Sequence, residues 1–243
     1  MIKLLRGTKP KYLTADKEQE LIDKFKATGN SVWNTKSIKS ALLKSSYDKC
    51  AYCECKLDEK SNYMEVDHFK HKEKYPDLVV SWDNLIPSCK RCNRSKWDND
   101  VVVNPIINPY KDIPRDHLYV YNMRVMGVDT IGENTAKVLS LNEYPRALRP
   151  RAELVLHIDE KINNLFNTVC RYEKNLDVDE LRTIRNNIHG ILSECQPEKE
   201  YSYVTSATTI NNRQFQTIVS KLKKLNEWDC DLELLYANCA SQH

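Results

Sequence analysis

Nowhere in the 243 residues is there a run of about 18 or more apolar side chains, the length a helix needs to cross a bilayer. The opening Met1-Ile2-Lys3-Leu4-Leu5-Arg6-Gly7 also lacks the apolar stretch and small-residue cleavage site of a secretory signal. A soluble, cytoplasmic protein is therefore expected. Excess charge of one sign is scarce: the formal net charge is +3, too little to establish a nucleic-acid partner. There is no internal repeat and no low-complexity tract, which argues against a solenoid. There is no Walker A motif either, so any ATPase associated with this protein is another chain.

Cysteine is plentiful. Nine cysteines is an odd number in a chain with no export signal, so metal ligation is a better reading than a disulfide framework. Cys50-Ala-Tyr-Cys53 and Cys89-Lys-Arg-Cys92 form two C-x-x-C pairs separated by 35 residues. A tight turn brings two thiolates to one ion and a second turn completes a tetrahedron, so Cys50, Cys53, Cys89 and Cys92 are the expected ligands of a structural Zn²⁺. Cys53-Glu54-Cys55 offers Cys55 as an alternative thiolate. A saturated thiolate site pins together a segment too small to fold on its own core. Neither pair sits in a βαβ pattern, which disfavours a redox role.

Periodicity predicts a helix over 14–27, with Thr14 as N-cap, Leu21, Ile22 and Phe25 on one face and Gly29 past its end, and a second helix over 36–47. Between Cys50 and Pro105 the helical period is lost and hairpins and loops are expected. Residues 118–128 read as a strand pair, and 149–172, 178–192 and 212–225 as helices, with 195–202 as a loop. The length suits one or two domains.

Between the cysteine pairs lie Glu65-Val66-Asp67-His68-Phe69 and Trp82-Asp83-Asn84-Leu85, and Asn93-Arg94-Ser95-Lys96 follows the last cysteine directly. From Ile86 to Trp97 the charged residues are Lys90, Arg91, Arg94 and Lys96, with no acid. The order Cys-x-x-Cys, Asp-His, Asn-Leu, Cys-x-x-Cys-Asn-x-x-Lys resembles the zinc-bearing branch of the HNH, or ββα-metal, nucleases over Cys50 to Trp97. The resemblance implies an α+β architecture: a small zinc-pinned ββα-metal module at 49–105, an N-terminal helical segment at 1–48 open to partner docking, and a mainly helical region at 106–243.

Phosphodiester hydrolysis needs a base to activate water and a cation to neutralise phosphate charge. His68 titrates near neutral pH and suits the base; Asp67 offers a hard oxygen to Mg²⁺ or Mn²⁺. Successive strand residues point to opposite faces, so bringing both to one site calls for a bend or irregularity. The resemblance further implies that Asn84 holds the His68 ring and that Asn93 fills the last motif position, where many members carry His. An amide oxygen there retains a metal role and favours a hard ion, with Asp83 as a fallback ligand. Arg94 and Lys96, one or both, are expected to face the phosphate backbone. Lys70, His71, Lys72 and Lys74 read as a charged, solvated face.

Elsewhere the signals are weaker. Arg185-Asn-Asn-Ile-His189 falls one residue short of a HEPN ribonuclease motif and reads as a helix face. His117 and His157 lack companions, and Cys170, Cys195, Cys230 and Cys239 read as core or surface thiols. The overall layout resembles the PtuB family, nucleases of Septu-type and retron-associated anti-phage systems. That implies a separate ABC-type ATPase subunit of the PtuA kind, together with a retron reverse transcriptase and its RNA–DNA product in the retron case. The competing readings are a zinc-ribbon adaptor that docks nucleic acid or protein without cutting, and a purely structural subunit. Nothing in the sequence separates DNA from an RNA such as a tRNA as substrate.

Overall fold

The structure, a computed structural model, describes residues 1–57, 63–175 and 178–242. Residues 58–62 of the expected nuclease module lie outside that set. The chain forms two compact units, Met1–Leu118 with Met126–Leu141, and Tyr119–Val125 with Asn142–His243. Among the described residues no helix is long and apolar enough to cross a membrane.

In the first unit, α1 (Ala15–Thr28) and α2 (Lys36–Ser45) begin where threonines supply caps: Thr14 accepts from the Lys17 amide and Thr35 from the Ile38 amide. Gly29 ends α1 in the left-handed region at φ 67° and returns its amide to the Phe25 carbonyl. The apolar face of α1 packs Leu21, Ile22 and Phe25 with Leu13, Val32, Val79 and Val80. From α2, Ile38 and Leu42 meet Val66, Trp82 and Leu85. The N-terminal segment is thus the apolar backing of the segment that follows it.

That segment is ββα. Strands β1 (Met64–His68) and β2 (Leu85–Cys89) pair antiparallel with Asp67 opposite Ile86 and His68 opposite Leu85, and α3 (Lys90–Lys96) starts on the residue after β2. The predicted α+β class and ββα module are what the chain adopts. A hairpin, β3 (Leu118–Tyr121) and β4 (Arg124–Gly127), follows where the strand pair was expected. Then comes α4 (Thr130–Val138), capped by Asp129, whose side chain accepts from the Gly132 amide.

The second unit contains α5 (Leu148–Asn175), α6 (Val178–Glu194), α7 (Ser202–Asn211), α8 (Arg213–Lys224) and α9 (Cys230–Ala240). Its core joins Ile158, Ile162, Leu165 and Val169 of α5, Ile184, Ile188 and Ile191 of α6, Phe215, Ile218 and Leu222 of α8, and Leu232 of α9.

Candidate nuclease site and thiolate cluster

Cys50, Cys53, Cys89 and Cys92 converge, with all four sulfurs within 4.8 Å of one another and every residue buried. Four buried thiolates at this spacing fit Zn²⁺. Cys55 is also buried beside them, and its carbonyl accepts the Cys50 amide at 2.9 Å, but its sulfur lies outside that four-atom group. Arg91 Nη2 donates to Cys92 Sγ at 3.2 Å, and Nη1 reaches the carbonyls of Ser140 at 2.7 Å and Leu139 at 3.2 Å. Its guanidinium lies beside several thiolates, whose charge raises its pKa against the opposing effect of burial.

The cluster is wired to the strand. Tyr52, inside the first Cys-x-x-Cys turn and wholly buried, donates its hydroxyl to Asp67 Oδ2 at 2.6 Å. Burial, then the Asp67 charge, push the Tyr52 phenol well above its ordinary range, so it remains a donor. Asp67 Oδ1 takes Lys96 Nζ at 3.1 Å, and the same ammonium reaches the His68 carbonyl at 2.6 Å. Lys96 is thereby corrected as a phosphate contact: its side chain has no exposed surface, and its charge is neutralised inside.

The geometry of a strand beside a helix explains the pattern. Glu65 and Asp67, two apart on β1, share one face, and Asn93 and Lys96, three apart on α3, share another. They meet as two rungs, Asn93 Nδ2 to Glu65 Oε2 at 2.7 Å and Lys96 to Asp67. Glu65 escaped the sequence reading; its i, i+2 spacing from Asp67 was the available signal. Asp67 retains acceptor capacity after two hydrogen bonds, and the Asn93 amide oxygen has no partner among the described residues.

His68 is 5% exposed, and its Nε2 lies 2.8 Å from the Val79 carbonyl. A carbonyl only accepts, so Nε2 carries the proton and Nδ1 keeps the lone pair. The Trp33 ring stands edge-on at 4.4 Å. Burial lowers the His68 pKa to about 4, despite the opposing Val79 bond and the Asp67 charge, so the ring is neutral at pH 7.

Asn84 makes no hydrogen bond to that ring among the described residues, a second correction. Its Oδ1 accepts the Lys70 amide at 2.8 Å, and its Nδ2 donates to the carbonyls of Lys70 and Leu78, each at 3.1 Å. A primary amide matches two backbone strands at once, so Asn84 closes the loop whose Val79 carbonyl holds His68, and it acts on the histidine through that loop. No irregularity brings Asp67 and His68 together, since the β register runs through both. Asp67 meets α3 and His68 meets Trp33, and both open onto one cleft of about 750 Å³.

Glu65, Asn93, Arg94, His71, Lys72, Lys39, Tyr63 and Trp97 complete the working part of the lining. Arg94 is exposed there with no hydrogen bond or ion pair to any described residue. Asp83 is exposed and does not line the cleft, so the fallback ligand is remote. Of the expected solvated face, Lys74 pairs with Asp100 at 3.7 Å and Lys72 with Glu73 at 3.2 Å; Lys70 lies 5.4 Å over the Tyr75 ring. His117, read as solitary, holds Asp129 at 2.7 Å and so supports the α4 cap. In the second unit Arg185 is tied to Asp229, Cys195 and Cys239 are core thiols, and Cys230 is exposed.

Comparison with known proteins accords with this geometry. The HNH endonuclease family model matches residues 50–99. "Protein ea31" of Escherichia phage lambda is 33% identical over 91 residues, which is 35% of this chain and 29% of that one. "Septu protein PtuB" of Bacillus mycoides (strain KBAB4) is 24% identical over 273 residues, spanning 91% of this chain and 89% of its own. "Septu protein PtuB" of Bacillus thuringiensis is 40% identical over 242 residues, spanning 98% of this chain and 93% of the relative. At that identity over nearly the full length of both chains, this chain belongs to the PtuB family and carries an HNH nuclease domain.

Proposed function

We propose that this protein is a divalent-metal-dependent HNH endonuclease that hydrolyses phosphodiester bonds in nucleic acid, DNA or RNA, as the effector of an anti-phage defence system. The observation that carries the reading is His68: a neutral imidazole, fixed through Nε2 by a backbone carbonyl, with its Nδ1 lone pair uncommitted among the described residues, in a cleft lined by oxygen donors. His68 Nδ1 takes a proton from water as the water oxygen attacks phosphorus, and the P–O bond to the leaving oxygen breaks. Glu65, Asp67 and the Asn93 amide oxygen are hard donors suited to Mg²⁺ or Mn²⁺. Such an ion supplies positive charge against the phosphate and the leaving oxygen. Arg94, a cation on the lining with no ion pair among the described residues, faces the strand's backbone. Asn84 and Lys96 position the loop, His68 and Asp67. The Cys50, Cys53, Cys89 and Cys92 cluster holds structural Zn²⁺. Family membership supports a separate ABC-type ATPase subunit of the PtuA kind as partner.

The test is cleavage of single-stranded and duplex DNA and RNA with Mg²⁺ or Mn²⁺. His68→Ala should fold, keep its zinc and lose cleavage by roughly a hundredfold or more. Asn93→Ala should raise the Mg²⁺ concentration needed for half-maximal rate, and a mild chelator that spares the thiolate site should stop the parent. Full activity in His68→Ala would remove His68 from the mechanism, and absence of cleavage by the parent protein under all of these conditions would leave the adaptor reading in its place.

A further inference from the structure

Trp97 is placed where folding alone would select a different residue. It follows the last residue of α3 at φ 46°, ψ −119°. Glycine is the usual occupant of a positive-φ position past a helix end, and a bulky side chain there is an outlier. Its side chain is 72% exposed and belongs to no core cluster, and its indole N–H has no partner among the described residues. The strain and the exposed apolar surface both cost stability. Strained residues of this kind concentrate where a ligand is clamped.

The surroundings identify the ligand. Trp97 shares the cleft lining with Asn93 and Arg94 of the preceding helix, and Tyr63, 63% exposed, lines the same cleft. His68 and Asp67, each 5% exposed, are recessed in that lining, whereas Trp97 is exposed on it, so a phosphate that reaches His68 carries its flanking nucleotide past the exposed indole. Lys39 and Arg94 contribute cations to that lining for the backbone. A base inside an intact duplex has both faces stacked and offers none to an indole; an unpaired base offers a whole π face.

We propose that Trp97 is a stacking platform for an unpaired nucleobase next to the scissile phosphate, so that the cleft selects a single-stranded or locally unpaired nucleic-acid strand over an intact duplex. This rests on the nuclease reading above.

The experiment measures binding by His68→Ala protein, so that nothing is cut, using DNA and RNA oligonucleotides that carry 2-aminopurine, each single-stranded and fully paired. The unpaired probes should bind more tightly than the duplexes, with their fluorescence quenched on binding. Adding Trp97→Gly should weaken single-strand binding by roughly tenfold or more and abolish the quench, whereas Trp97→Phe should retain most of both. Trp97→Gly should melt no lower than the parent, because glycine relieves the positive φ. Unquenched or duplex-preferring binding by the Trp97 protein overturns the proposal without reference to any variant, as does undiminished strand binding by a folded Trp97→Gly. A wild-type protein that cuts while Trp97→Gly binds strand normally sinks the platform alone; one that binds and quenches without cutting sinks the nuclease reading alone.

Discussion

Lys96 divides its charge between a carboxylate and a backbone carbonyl, and both acceptors belong to the dipeptide that bears the proposed chemistry. A lysine so placed orients Asp67 and the strand end without meeting substrate, which is why Asn-x-x-Lys, read along the sequence, points to phosphate while the ammonium points inward. His68 is the complementary case, a titratable group kept neutral by burial, and its pH dependence has a definite sign. Above pH 6.5 the ring is neutral in both folded and unfolded chains. As pH falls from 6.5 toward about 4, the unfolded chain takes up a proton that the folded ring refuses, and stability drops; below about 4 both are protonated and the loss stops. The contribution is on the order of 3 kcal/mol. Urea denaturation at pH 7 and pH 4.5 should therefore show a larger acid loss for the parent than for His68→Ala, after the common effect of thiolate protonation is subtracted. Equal acid losses would mean that His68 is hydrated in the folded protein.

At seven residues α3 is too short to persist alone, yet it carries Asn93, Arg94 and Lys96. It is held at its start by Cys89 and Cys92, along its side by the Arg91 bonds to Leu139 and Ser140, and at its end by Lys96. The first Cys-x-x-Cys turn adds Tyr52 on Asp67, so the four-cysteine frame reaches both sides of the strand–helix rungs. Cys92→Ser should therefore lose bound zinc, several kcal/mol of stability and cleavage together, read by metal content, near-UV circular dichroism and activity. Retained cleavage in a zinc-free, folded variant would disconnect the two. The motif spacing made this frame legible, as did the caps Thr14 and Gly29 and the amphipathic α1, α5, α6 and α8. Tyr52 and Glu65 were not legible as site residues, because a Tyr in a tight turn and a Glu two residues from an Asp acquire meaning only from what they meet. Nor was α7: Ser202 to Ala207 are all buried, so the helix has no polar face and no 3.6-residue alternation to betray it. In α4 the capping Asp129 was present, but the nine residues that follow offer too short a period.

Each of the two compact units has buried apolar clusters of its own, and the thiolate cluster lies wholly within the first. Differential scanning calorimetry with and without a strong zinc chelator should thus shift the transition of the first unit and leave that of the helical unit near its original temperature. A single transition that moves as a whole would show that the units unfold as one. The chain passes from one unit to the other three times, at 118–119, 125–126 and 141–142. A single genetic crossover at any of those junctions would leave part of one unit encoded on the wrong side: at 141–142, for example, residues 119–125 of the hairpin would be inherited with the foreign partner. Exchange of the HNH-bearing unit as a cassette needs three coordinated joins, so the HNH unit and the helical unit of this protein are expected to share a single line of descent.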